Sequence, residues 1–336
     1  MHSRDRVVSG KPALVERIDA ARQACIDALR AEPLSSVDLF LTSAGIASDS
    51  ILAIAYEAAA RRSITPALLA LRNRCNAELS LDAGICAPER VLLMHAVLHW
   101  LPRLTEQPVD ESVMHLSCRD FVWYADPKRF DASMCTCETN TFYDRLRVAT
   151  LQRFTIGQSE LEMSGFPRSW LVGVKRNFSK APKPAPRDLP RVLYFLATRI
   201  KGFKPLFVGH MASRRRTAFL TAREARLGFY RSCLALEKQP AVRGLMDASW
   251  LHSRETFRVS PHLSFMNETF EEAGALYVDL GPCPEKMGFL SGDAHRAELY
   301  RKGEYRPTYG AVLCSREQAL DWMRRNRHLE EYLIPS

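Results

Sequence analysis

The sequence predicts an α+β protein with a helical N-terminal region at 1–178, a proline-rich linker or loop at 179–190, and a mixed α/β sheet domain at 191–336. Three observations carry this expectation. The first hundred residues set apolar side chains at helical spacing on more than one side of each segment, the pattern of helices that pack together. Residues 179–190, SKAPKPAPRDLP, are dense in proline and carry no apolar period. Between residues 243 and 315, short β-prone runs alternate with helical ones, the order that builds strands and covering helices.

The N-terminal helices follow in order. Leu14 to Leu29 is periodic. Ser48-Asp-Ser precedes an alanine-rich run, Ile51 to Arg62, with Arg61 and Arg62 in the last turn, where cations suit the helix dipole. Thr65-Pro66 supplies an N-cap and a first-turn proline for Ala67 to Leu79, and Pro88 opens Glu89 to Trp100. From Pro108 to Thr139 the period breaks, which predicts loop with short strands, and Thr141 opens a helix from Phe142 to about Phe154.

Beyond the proline-rich stretch, Leu189 to Ile200 reads as a helix and Leu206 to His210 as a strand. Thr221 and Glu224 read as a capping box for a helix to about Glu237. Arg243 to His252 is a predicted strand, Pro261 to Ala273 a helix ended by Gly274, and Ala275 to Leu280 a strand. Asp293 to Arg301 is a helix closed by Lys302-Gly303. Tyr305 to Ser315 is the last strand, and Glu317 to Arg327 the last helix.

Composition bounds the class. The chain has 336 residues, 46% hydrophobic and 25% charged, which is ordinary globular usage and enough for roughly two domains. No apolar run approaches the ~18 residues of a membrane span, and the N-terminus MHSRDRVVSGKPALVER has no continuous apolar core of a secretory signal. Nine scattered cysteines, among them Cys25, Cys75 and Cys233 beside Ala and Leu, read as buried thiols and fit a cytoplasmic protein.

Charge is uneven. Residues 168–231 hold sixteen Lys or Arg against two acids, Asp188 and Glu224, a net +14 in a chain whose total is +9. Such a block raises the local concentration of an anionic partner, which could be nucleic acid, a phosphate-bearing cofactor, an anionic membrane surface or an acidic carrier protein. Arg214-Arg215-Arg216, just before the capped helix, could grip phosphates in a bidentate manner.

One family resemblance rests on particular residues. The runs HLSFMNETFEEAGALYVDLG and RAELYRKGEYRPTYGAVL resemble the C-terminal half of the GNAT-type N-acyltransferase superfamily, over about 190–326. Members often place a helix ending in Ala-Gly before one strand and a helix ending in Leu-Tyr-x-x-x-Gly before the last. Leu299, Tyr300, Tyr305, Arg306 and Pro307 stand at those positions, with Gly303 one residue earlier than in the pattern. The resemblance implies an acyl group moving from a thioester, on CoA or on carrier-protein phosphopantetheine, to an amine. It also implies Tyr300 as the general acid that protonates the leaving thiolate.

The sequence departs from the family at the pyrophosphate loop. Thr256-Phe-Arg-Val-Ser-Pro-His, which enters the Pro261 helix, has no glycine, so Arg258, Ser260 and His262 would have to hold phosphate by side chains. This leaves an acyl carrier protein, an aminoacyl-tRNA and a non-catalytic GNAT-like domain open.

Other candidates come from the residues alone. In the strand Leu245 to His252, Asp247 and Ser249 share one face, opposite Met246, Ala248, Trp250 and His252, and Asp247 could act as base toward an amine. No metal is expected. An alternative zinc set is His115, Cys118, Cys135 and Cys137, although the spacing is not that of Cys-x-x-Cys pairs. His95 and His99 stand at i, i+4 without the Glu of a zinc-protease helix.

The alternative function is nucleic-acid (tRNA) binding by the basic segment. Phe178, Tyr194, Phe195, Phe203, Phe207, Phe219, Phe229 and Tyr230 would then be the stacking residues.

Overall fold

A computed structural model describes residues 10–31, 48–61, 63, 65–69, 88–126, 140–167, 170–171, 184–211, 221–283 and 293–333. The chain divides into two compact units, 1–155 and 156–336. The change from helical to mixed structure therefore falls at Thr155/Ile156, ahead of the boundary expected in the proline-rich stretch. The end of that stretch belongs to the second unit. The Ala185 amide donates to the Asp279 carbonyl at 2.8 Å, and the Asp188 carboxylate accepts the Asp279 amide at 3.0 Å.

The first unit is a helical assembly, as its periodicity predicts. Among the described residues its long helices are α1 (Gly10–Ala31), α2 (Ser48–Arg61), α3 (Pro88–Trp100), α4 (Glu111–Ala125) and α5 (Asn140–Ala149). α3 buries Leu92, Leu93, Met94, Ala96 and Val97 around much of its circumference, because α1, α2, α4 and α5 all pack on it.

α4 corrects the loop expected over 108–139. Asp110 caps it, its carboxylate accepting the Ser112 amide at 2.9 Å. Val113, Leu116, Phe121 and Tyr124 keep helical spacing, but Ser, His, Cys and Asp between them hide the period. Those polar residues are buried: the Ser117 hydroxyl donates to the Val113 carbonyl at 3.0 Å, and Asp120 accepts from Thr155. The helix predicted through Phe154 ends at Ala149. The chain turns at Leu151 into the short strand β1 (Arg153–Thr155), where buried Arg153 pairs with Asp144 at 2.8 Å.

The second unit carries five strands of a mixed sheet: β2 (Ser159–Gly165), β3 (Pro205–Met211), β4 (Gly244–Ser249), β5 (Leu276–Pro282) and β6 (Thr308–Ser315). Their spatial order is β2-β3-β4-β6-β5. β3 and β4 are parallel, joined by the crossover that contains α7 (Ala222–Lys238), and the other pairs are antiparallel, so β6 inserts between β4 and β5. The adjacent strands expected between residues 243 and 315 are thus present.

Helices cover both faces of this sheet. α6 (Leu189–Phe195), prolonged by a π turn to Ile200, packs Val192, Phe195 and Ile200 against Leu206, Met246, Val278 and Leu313. α7, α9 (Phe265–Glu272) and α11 (Arg316–Arg325) pack together, with α11 against β4 and β6 and α9 against β6. Trp322 of α11 is fully buried, edge-on to Phe229 at 4.8 Å, and its indole N–H donates to Glu272 at 3.0 Å. α8 (Arg254–Val259) and α10 (Ala294–Arg301) complete the unit. Among the described residues, no helix is long and apolar enough to cross a membrane.

Candidate active site

β4 is shorter than its sequence suggests, and the difference creates the site. The strand ends at Ser249, whose hydroxyl accepts the Leu251 amide at 3.2 Å and starts a 3₁₀ turn over Trp250–His252. Period-2 alternation, which puts His252 on the face opposite Asp247, stops there. The turn swings the fully buried His252 imidazole back, to 3.5 Å between Nε2 and Asp247 Oδ1.

Asn267 of α9 holds the other side of the ring. Its side-chain amide donates to the His252 carbonyl at 3.3 Å, which turns its oxygen toward His252 Nδ1 at 2.6 Å. Nδ1 is therefore the donor of that bond, and Nε2 faces the Asp247 carboxylate at ion-pair distance without a hydrogen bond. Phe270 lies edge-on to the imidazole at 5.8 Å.

Burial pulls the His252 pKa down, but the Asp247 charge and the two acceptors beside the ring outweigh it, and the net shift is upward from 6.5. Because the folded pKa exceeds the unfolded one, the stabilisation is complete below about 6.5 and is lost as pH rises through the raised folded value. We expect the stability gap between wild type and His252→Gln, measured by urea unfolding, to be widest near pH 6 and to narrow toward pH 9. A gap independent of pH would show that the imidazole does not titrate against Asp247.

Asp247 faces a cavity of about 50 Å³ bounded by β2, β3, β4, α7 and α9. Two glycines make the arrangement possible. Gly209 of β3 sits beside Asp247 in the parallel register, and a Cβ there would lie 2.7 Å from Oδ2. Gly310 of β6 pairs with Ser249, and a Cβ there would lie 2.6 Å from the His252 carbonyl oxygen.

On the far wall, Gln158 occupies the turn before β2 and is 3% exposed. Its amide nitrogen rests 3.7 Å from Met266 Sδ, and its oxygen is buried without a partner. The turn is clamped from α7: buried Arg231 donates to the Ile156 carbonyl at 3.1 Å and to the Leu333 carbonyl at 3.0 Å.

The other predicted residues fall elsewhere. Ser249 acts locally as the cap just described. Tyr300 lies half-buried in the last turn of α10, in the connection from β5 to β6. The deeply buried phenol of that segment is Tyr305, bonded to the Thr256 hydroxyl at 2.9 Å and pushed up in pKa by burial.

The stretch expected to hold phosphate is engaged inside the unit. Arg258 pairs with Glu255 at 2.9 Å and donates to the Glu304 carbonyl at 2.6 Å, and Ser260 accepts from buried Arg296 at 3.1 Å. His262 is exposed in a short 3₁₀ turn, Pro261–Leu263, that precedes α9. Arg214, Arg215 and Arg216 lie outside the described residues, in the stretch between β3 and α7.

Part of the basic block is structural. Arg187 pairs with Asp279, Arg191 with Asp188 and Arg226 with Glu272, while Arg231 is consumed by carbonyls. Among the named aromatics, Phe195, Phe207, Phe229 and Tyr230 are core, and Tyr194 and Phe203 are exposed. Phe178 and Phe219 lie outside the described residues.

His115 and Cys118 of the alternative zinc set share α4. Burial lowers the His115 pKa and pushes the Cys118 thiol up to about 12, away from the thiolate a metal needs. Cys135 and Cys137 lie outside the described residues. Among the described residues, no group of three or more metal donors comes together. Compared with protein-family models, curated proteins and solved structures, the chain matches none.

Proposed function

We propose that the second unit is a GNAT-type acyltransferase that moves an acyl group from a thioester, on CoA or a carrier protein, to an amine. The single observation that carries this reading is the Asp247–His252–Asn267 chain, which presents a carboxylate backed by a buried imidazole to a cavity at the parallel β3–β4 pair. The element order supports it. α9 ends in Ala273-Gly274 before β5, and α10 ends in Leu299-Tyr300, with Gly303, Tyr305, Arg306 and Pro307 before β6.

In this scheme the acceptor enters as an ammonium and gives a proton to Asp247. Its lone pair attacks the thioester carbon, a C–N bond forms, and the C–S bond breaks on collapse of the tetrahedral oxyanion. Tyr300, as the resemblance implies, protonates the departing thiolate; the nitrogen's second proton restores the Tyr300 phenol through solvent, and Asp247 releases the first to solvent. His252 offsets the carboxylate's charge and fixes its direction. Arg214, Arg215 and Arg216, ahead of α7, are the proposed contacts for the donor's phosphates.

The test is thiol release from acyl-CoA and acyl-carrier donors mixed with primary amines. Release is expected from wild type, and Tyr300→Phe should lower it about 10- to 1000-fold with an unchanged melting temperature. Wild-type release by the Phe variant removes Tyr300 as the acid. No release with any donor, together with salt-sensitive retention of RNA, would replace this reading by nucleic-acid binding.

A further inference from the structure

We infer that the cavity beside Asp247 is the acceptor subsite and that Gln158 makes it selective for a primary aliphatic ammonium. This rests on the acyl-transfer reading above.

The side-chain oxygen of Gln158 is buried and meets no donor. Such an acceptor has given up its hydration without replacement, so a guest that brings a donor gains what the empty site forgoes. The sulfur of Met266 is an acceptor only, so the Gln158 amide turns its NH₂ toward sulfur and its oxygen away. Gln158 and Asp247 line one cavity, so the guest meets two acceptors, one of them charged. A group with several N–H donors and a positive charge answers both, as a primary ammonium does.

The walls limit what the nitrogen can carry. Phe207, Phe229, Met266 and Phe270 are apolar and suit methylenes. A volume of about 50 Å³ is roughly four times what one water needs, enough for a nitrogen and a few carbons. A second alkyl group on nitrogen removes a donor and leaves Gln158 unmet. An α-carboxylate would sit against the carboxylate of Asp247. Rejection by an unsatisfied buried acceptor is stronger than rejection by size alone.

The turn that carries Gln158 is rigid, because Arg231 ties Ile156 to α7 and to Leu333. The acceptor oxygen is therefore set in place before the guest arrives, which is what a specificity residue requires.

The experiment needs no acyl donor. n-Propylammonium, dimethylammonium, trimethylammonium and glycine are titrated into the full chain by ligand-observed NMR and by thermal shift. n-Propylammonium should bind at least tenfold more tightly than the other three. Gln158→Leu should weaken it at least tenfold and level the series, while Gln158→Glu, which keeps an acceptor, should retain the order. If the Leu variant fails to fold, the wild-type series and the Glu variant decide. Equal binding of all four, or unchanged affinity in a folded Leu variant, overturns the inference. The selective series without thiol release from any donor would leave this inference standing and remove acyl transfer. Thiol release that is indifferent to whether the amine is primary or secondary would do the reverse.

Discussion

Asp247→Asn is expected to lower amine acylation about 10²- to 10⁴-fold while the protein stays folded, the range typical for loss of a positioned proton acceptor. Asn keeps the volume that Gly209 leaves for this side chain, so the sheet need not move. The amide cannot take a proton from an ammonium, and it no longer offsets a charged imidazole. His252 is fully buried, and burial is the largest influence on it. With the carboxylate gone, its pKa should fall from its raised value to below the ordinary 6.5. The two readouts are thiol release and the ¹⁵N or ¹³C titration of the His252 ring. Undiminished turnover would mean that Asp247 is not the proton acceptor. An unmoved His252 titration would mean that the 3.5 Å contact between the two side chains carries no coupling.

How much of this is legible in the sequence depends on what sets each element. Where one local signal decides, sequence and structure agree. Thr221, named from its spacing to Glu224, caps α7 by accepting the Glu224 amide; Asp293 caps α10 and Ser315 with Gln318 forms the capping box of α11, where the sequence reading marks only the helices. These are contacts within three residues, and sequence spacing can report them directly. α4 escapes sequence reading because its interior is polar. Ser117 is satisfied by the helix itself and Asp120 by Thr155, and no one-dimensional period records that.

The site shows the same division. Asp247 is identifiable as a carboxylate on a strand that would have to be buried. Alternation puts His252 on the wrong face, because a serine cap two residues on from Asp247 ends the strand and a three-residue turn reverses the ring. Asn267 and Gln158 reach the site from α9 and from the turn before β2, more than ten and more than eighty residues away from Asp247 along the chain, so only tertiary packing brings them in. The basic block misleads in part for a similar reason. A count of charges cannot show that Arg231 is a buried clamp on two carbonyls or that Arg226 answers Glu272.

Gly310→Ala is expected to cost about 3 kcal/mol, at the upper end of what overpacking usually costs, and to disable the site along with the fold's stability. The added carbon would stand 2.6 Å from the His252 carbonyl oxygen, 2.7 Å from its carbonyl carbon and 3.1 Å from the Tyr277 ring. Two of those neighbours are backbone, so no side-chain rotation relieves the clash. Either β6 separates from β4 at Ser249, or the Trp250–His252 turn is pushed out, and the second movement carries the imidazole away from both Asp247 and Asn267. The control is Gly165→Ala at the end of β2, where an added Cβ meets nothing within 4 Å and the change should stay within about 0.5 kcal/mol. Urea unfolding of the two variants gives the energies, and the His252 ring signals report the site. A Gly310→Ala protein as stable as the Gly165→Ala control, with an undisturbed imidazole, would show that β6 need not approach the turn this closely and that the glycine does not hold the site together.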